Sequence, residues 1–192
     1  MNNIQSNKIK FSPALSQEKK EAIESINFLP GFKVAMKFSE KFYPDIIQCE
    51  TDYGLKGGEK TYYDIAFKKN AQTNVLGFLC AGEEAKKYYA LGSKDEIINT
   101  LLQELDQMFE GKASQTFTGE YLLENWGKHQ YTQGTWVVIP YEKPSHLQVI
   151  AEPLDKRVYF AGAILDPYRQ GGAPGSMLSG YYFIDKLLTD TQ

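Results

Sequence analysis

The sequence predicts an α+β chain, a mixed or antiparallel sheet with flanking helices. Three observations carry that expectation. Thr61–Phe67 and Val75–Cys80 are β-branched, aromatic runs joined by a polar link of hairpin length, Lys68–Asn74. Two stretches, 93–109 and 174–188, repeat apolar residues at helical spacing. The order helix, strands, helix, strands, helix favours packed layers over a doubly wound parallel sheet.

Taken in order, the first ten residues are polar and expected to be loose. A helix should begin near Leu15, where Pro13 and Ser16 act as start signals and Ala22, Ile23 and Ile26 follow at helical spacing. Pro30 and Gly31 should close it, and Lys33–Phe38 then alternates as a strand. Lys56–Glu59 reads as a turn before the two central strands, and Glu83–Ala90 as a short helix. Ser93, with Glu96 three residues on, is a capping box. Behind it Ile97, Ile98, Leu101, Leu102, Leu105, Met108 and Phe109 form one stripe that Gly111 ends. Thr116–Trp126 should be a strand, Trp136–Ile139 a short buried one stopped by Pro140, and Val158–Gly162 a strand running into a glycine. After the glycine-rich loop Gly171–Gly175, Pro174 suits the first turn of a closing helix. That helix would carry Met177, Leu178, Tyr181, Ile184, Leu187 and Leu188 on its apolar side.

Composition narrows the chemistry. The chain has 192 residues and a net charge of −3, which argues against a nucleic-acid or anionic-membrane surface. No apolar run is long enough to span a bilayer, and the N-terminus lacks the pattern of a secretory signal. Two cysteines make no disulfide framework, so a reduced, cytoplasmic setting is expected. The two histidines, His129 and His146, lie in no metal-ligand spacing, and no metal is expected. No two glycines are spaced G-x-G, so the dinucleotide fingerprint is absent.

Three places could bear function. The closing helix would expose N–H groups at Gly175, Ser176 and Met177, where its positive end favours an anion or a carbonyl-rich ring edge. Trp126, Tyr131 and Trp136 cluster about a polar turn and could box a flat cofactor or a cationic ligand, though packing is the common use of such residues. Lys33 opens an otherwise apolar strand.

Four segments together resemble the C-terminal half of the flavin-containing amine oxidases, the monoamine and polyamine oxidase family. Ile9–Lys19 resembles the family's F-x-P-P-L-P followed by a helix. Phe32–Tyr43 resembles K-V-x-L-x-F-x-x-x-F-W. Asn125–Trp126 with Tyr131–Trp136 resembles W-x-x-x-x-Y-S-x-G-x-Y. Tyr159–Gly162 with Gly175–Gly180 resembles Y-F-A-G-E followed by G-x-x-x-G-A-x-x-S-G.

The resemblance implies roles. Lys33 would be the lysine that holds a water against the flavin N5, and Trp126 the indole packed near the isoalloxazine. Gly162, Gly175, Ser176 and Met177 would contact the ring's N1/C2=O edge. Trp136 and Gly172 fall on the walls of the substrate cage, where Gly172 stands in place of a frequent aromatic. Ala163 and Ile164 replace the acidic residue common after the glycine, and Thr135 replaces the cysteine of covalent-flavin members, implying noncovalent FAD. Residues 1–150 would be a partial substrate-binding domain, and 151–192 a FAD-contacting strand, loop and helix. Such enzymes oxidise an amine to an imine by hydride transfer to flavin, with dioxygen as acceptor. The family's dinucleotide-binding domain has no counterpart in these residues, so a separate FAD-binding chain or a homo-oligomer through an exposed face is a candidate partner. The alternative is a noncatalytic remnant or binding subunit that keeps the fold without flavin.

Overall fold

The computed structural model describes residues 2–6, 8–49, 58–70, 73–138, 145–166 and 172–190. They divide into two compact units: 1–28 with 131–192, and 29–130.

The 29–130 unit is built on a five-stranded sheet. β2 (Gly31–Phe38) is flanked by β5 (Asn74–Ala81) and β6 (Phe117–Glu124), and β4 (Lys60–Asp64) joins β5 to β3 (Ile46–Gln48). Every pairing is antiparallel. Alternation in β2 sends Phe32, Val34, Met36 and Phe38 into the core and leaves Lys33 exposed. Three helices, α3 (Glu83–Tyr89), α4 (Lys94–Met108) and α5 (Lys112–Thr116), belong to this unit. Ser93 Oγ accepts from the Glu96 amide at 3.2 Å while Glu96 returns a bond to the Ser93 amide at 3.0 Å, the expected capping box. Ile97, Ile98, Leu101, Leu102 and Leu105 then pack on Phe78, Leu76 and Met36 in one core. Burying each such side chain stabilises the unit by about 1.5–3 kcal/mol. Met108, at the end of the stripe, stays 42% exposed.

Glu104 on α4 ties that helix to its neighbours. It accepts from Tyr62 at 3.0 Å and Tyr88 at 2.7 Å and pairs with Lys60 at 2.9 Å. Burial first, and the Glu104 charge and hydrogen bonds after it, push both phenols well above the usual tyrosine range.

The other unit holds α1 (Asn2–Gln5), α2 (Gln17–Glu24), β7 (Trp136–Val138), α6 (Ser145–Ala151) and α7 (Ala173–Asp190), with β1 (Asn27–Leu29) paired to β7. Ser16 caps α2, its hydroxyl accepting from the Lys19 amide. The helix stops at Glu24, short of the expected Pro30–Gly31, because 27–29 are drawn into the pairing with β7. Gln5 Nε2 donates to the Ile23 and Ile26 carbonyls and satisfies its C-terminal end. Leu15, Ala22, Ile23, Ile26, Ile150 and Ile164 form the core.

Two expectations are corrected. Val158–Gly162 is not a strand: Val158 bridges only Leu154, and no further ladder partner exists among the described residues. The apolar side of α7 does not face the core. Gly175, Ser179 and Phe183 are its buried residues, while Met177, Leu178, Tyr181, Ile184, Leu187 and Leu188 are 39–63% exposed. Ile139, Pro140, Gly171 and the first two residues of the expected 56–59 turn lie outside the described residues.

Candidate functional site

In the 29–130 unit, the sheet face opposite the helical core carries Lys33, Ala35, Leu79, Leu122 and Glu124. The register sets Lys33 directly across from Leu79 on one side and Glu124 on the other. Ala35 lies between Gly77 and Leu122, and Leu122 is 78% exposed. Ala35, Leu79 and Leu122 thus form an apolar floor, bounded at one end by the Lys33 ammonium and the Glu124 carboxylate across from it, and at the other by Lys37. Gly77 shapes it: a Cβ there would come within 2.5 Å of the Tyr63 ring, so glycine lets that ring lie flat across the neighbouring strand. The Lys33 ammonium has no hydrogen bond or ion pair among the described residues, whereas Lys37, two residues on, pairs with Glu120 at 2.6 Å.

Trp126 stands just beyond the end of β6, two residues after Glu124. The antiparallel register therefore brings Lys33 and Trp126 to the same end of the sheet. Trp126 is 38% exposed, its ring 5.6 Å from that of His129. Asn125 Oδ1 accepts from the Lys128 amide at 3.1 Å and closes the turn that carries the indole.

Tyr89, which sequence patterning did not single out, braces this end. Its hydroxyl donates to the Gly31 carbonyl at 2.6 Å and accepts from the Gly31 amide at 2.8 Å. It also sits so close to Gly127 that a Cβ there would meet the hydroxyl oxygen at 2.7 Å. The start of β2 and the Trp126 turn thus share one support. A tyrosine at the end of a short helix gives no pattern that would have revealed it.

In the other unit, the segment at Gly162 meets the start of α7. The Gly162 amide donates to Ser179 Oγ at 2.9 Å. A Cβ on Gly162 would meet none of the described residues within 4 Å, so among them the space beside this backbone is open. Gly175 is buried, and Ser176 and Met177 are exposed. The helix starts at Ala173, and the Ser176 amide already donates to the Gly172 carbonyl at 3.1 Å. Gly172 is therefore the residue preceding the helix, and of the three amides expected to be exposed, Gly175 alone lacks an intrahelical acceptor by helix geometry. Trp136 opens β7 in the same unit.

Phe160 anchors the approach to Gly162. Its ring lies 5.9 Å from that of Phe11, and the Lys19 ammonium sits 4.7 Å over it. Lys19 is 5% exposed and donates to the carbonyls of Val149, Ile150 and Glu152 at 2.5, 3.0 and 2.7 Å, closing the C-terminal end of α6. Burial holds its pKa below the usual lysine value, partly opposed by the Glu152 charge.

The structure thus groups Lys33 with Trp126 in one unit, and Gly162, Gly172, Gly175, Ser176, Met177 and Trp136 in the other. Cys80 is buried, with its thiol pushed up to about 12 by desolvation and by the Glu84 charge, which fits no nucleophilic role. Among the described residues no group of three or more His, Cys, Asp or Glu could hold a metal, and no helix is long and apolar enough to cross a membrane.

The chain is 26% identical to the Arabidopsis thaliana protein named Probable polyamine oxidase 4, over 92% of this chain and 34% of that protein. It is 28% identical to an L-amino-acid oxidase of Crotalus adamanteus, over 81% of this chain and 30% of that one. Its fold matches cyclohexylamine oxidase from Brevibacterium oxydans IH-35A with a TM-score of 0.80 at 17% identity, covering 100% of this chain and 42% of that structure. The chain thus spans about a third of the curated relatives it matches. The model of the family "Flavin containing amine oxidoreductase" matches residues 1–182, nearly the whole sequence. The chain belongs to the flavin-containing amine oxidoreductase family.

Proposed function

We propose that this chain supplies the substrate floor and the ring-side contacts of an FAD-dependent amine oxidase. Bound noncovalently, flavin would supply the two-electron acceptance that turns an amine into an imine, with dioxygen as the final acceptor. The observation that carries the proposal is Lys33. It is an ammonium without a partner among the described residues, at the end of an apolar sheet face and at the same end as an exposed indole. A lysine serving only solubility has no need of that apolar floor.

The remaining roles follow from what each group offers. Lys33 would hold a water by donating to its oxygen. Trp126 would offer an apolar plane to a flat ring. The open space beside Gly162 and the positive end of α7 suit a carbonyl-rich ring edge, and the fixed helix dipole would favour negative charge there without reorganising. Trp136 and Gly172 would border the substrate. The pyrophosphate and ribose contacts would come from protein beyond these residues, in the same polypeptide or in a separate FAD-binding chain.

In the flavin-loaded enzyme, Lys33→Met should slow flavin reduction by amine, or reoxidation by dioxygen, by at least about tenfold in stopped-flow absorbance. Unchanged rates for both half-reactions would reject the role of Lys33.

A further inference from the structure

We propose that Ser179 is a positioning residue, clasping Gly162 to the first turn of α7 and so fixing together the two backbone pieces that would face the ring edge. This rests on the flavin reading given above. Ser179 is 2% exposed, and its hydroxyl is used in both directions. It donates to the Ser176 carbonyl at 3.0 Å and accepts from the Gly162 amide at 2.9 Å.

The first bond is what a buried helical serine makes to satisfy itself locally. The second reaches a backbone group seventeen residues earlier, which the helix does not require. Among the described residues the only other hydrogen bond of Gly162 is local, its carbonyl accepting from the Leu165 amide at 3.0 Å, so the Ser179 bond is what ties it to α7. Among the described residues its segment has no strand ladder beyond the Val158–Leu154 bridge, and none of them lies within 4 Å of where its side chain would be. Upstream, Phe160 is fixed by Phe11 and Lys19, so the Ser179 bond secures the opposite end of the same short segment. One hydroxyl therefore sets the spacing between Gly162 and Ser176. Without it, the Gly162 amide would lose its acceptor and the segment could drift from the helix start.

The test uses the 15N-labelled full chain, with amide exchange and an FAD titration read by NMR. Ser179→Ala should speed exchange of the Gly162 amide by about fivefold or more and weaken FAD binding by a similar factor, the worth of one net hydrogen bond. Exchange at Val34 and Leu76 should not change, and Ser179→Thr, which keeps the hydroxyl, should restore both values. Unchanged Gly162 exchange in Ser179→Ala overturns the clasp. Faster exchange with unchanged FAD affinity overturns the positioning role and leaves the flavin reading standing. A wild-type chain whose amides do not respond to FAD overturns that reading and the role together, while the exchange data still report on the bond itself.

Discussion

Lys19 and Lys33 carry the same side chain into opposite surroundings. Lys19 is buried on three carbonyls at the end of α6, and Lys33 stands on an open sheet face without a partner among the described residues. Lys33 could be singled out from sequence because it opens an otherwise apolar strand and falls on a lysine of the family motif. Lys19 could not, because a lysine on an amphipathic helix ordinarily points to water, and its acceptors lie about 130 residues away in sequence. Its burial is decided by packing between α2 and α6, which no local pattern encodes. Lys19→Met should remove the charged hydrogen bonds that close α6 and lower stability by about 2 kcal/mol in urea unfolding. A loss below about 0.5 kcal/mol would show that the three bonds only replace equivalent bonds to water.

At the scale of elements, the pattern was most legible where caps and period agreed. α4 begins at its capping box and buries the expected residues from Ile97 to Leu105. The short α5 before β6 gave no such signal. The 158–162 segment had strand composition, but a strand also needs a neighbour, and composition does not supply one. In α7 the sequence marked the helix and its apolar side but not whether that side is covered. The buried line runs instead through Gly175, Ser179 and Phe183, four residues apart, where two small residues let the helix approach closely. Phe183→Ala should therefore destabilise the chain by about 3 kcal/mol, while Ile184→Ser, one residue along, should change stability by less than about 0.5 kcal/mol. Thermal unfolding of the two variants checks this; comparable losses would place Ile184 in a packed interior.

Across the whole molecule, the α+β architecture and the family were both legible, the first from hairpin spacing and helical periods, the second from four short motifs in order. The motifs named residues but not what supports them. Tyr89 beneath the Trp126 turn and Ser179 beneath Gly162 became visible only once the backbone groups they hold had positions. The chain covers about a third of its curated relatives, and the role proposed for it is one side of a flavin site. The most direct test is a titration of the 15N-labelled chain with FAD, beside a parallel titration with ADP, which lacks the isoalloxazine ring. FAD, but not ADP, should shift the amides of Gly162, Gly175 and Ser176 and the Trp126 indole N–H. No FAD-specific shift at any of these four groups would contradict the proposed ring-side role.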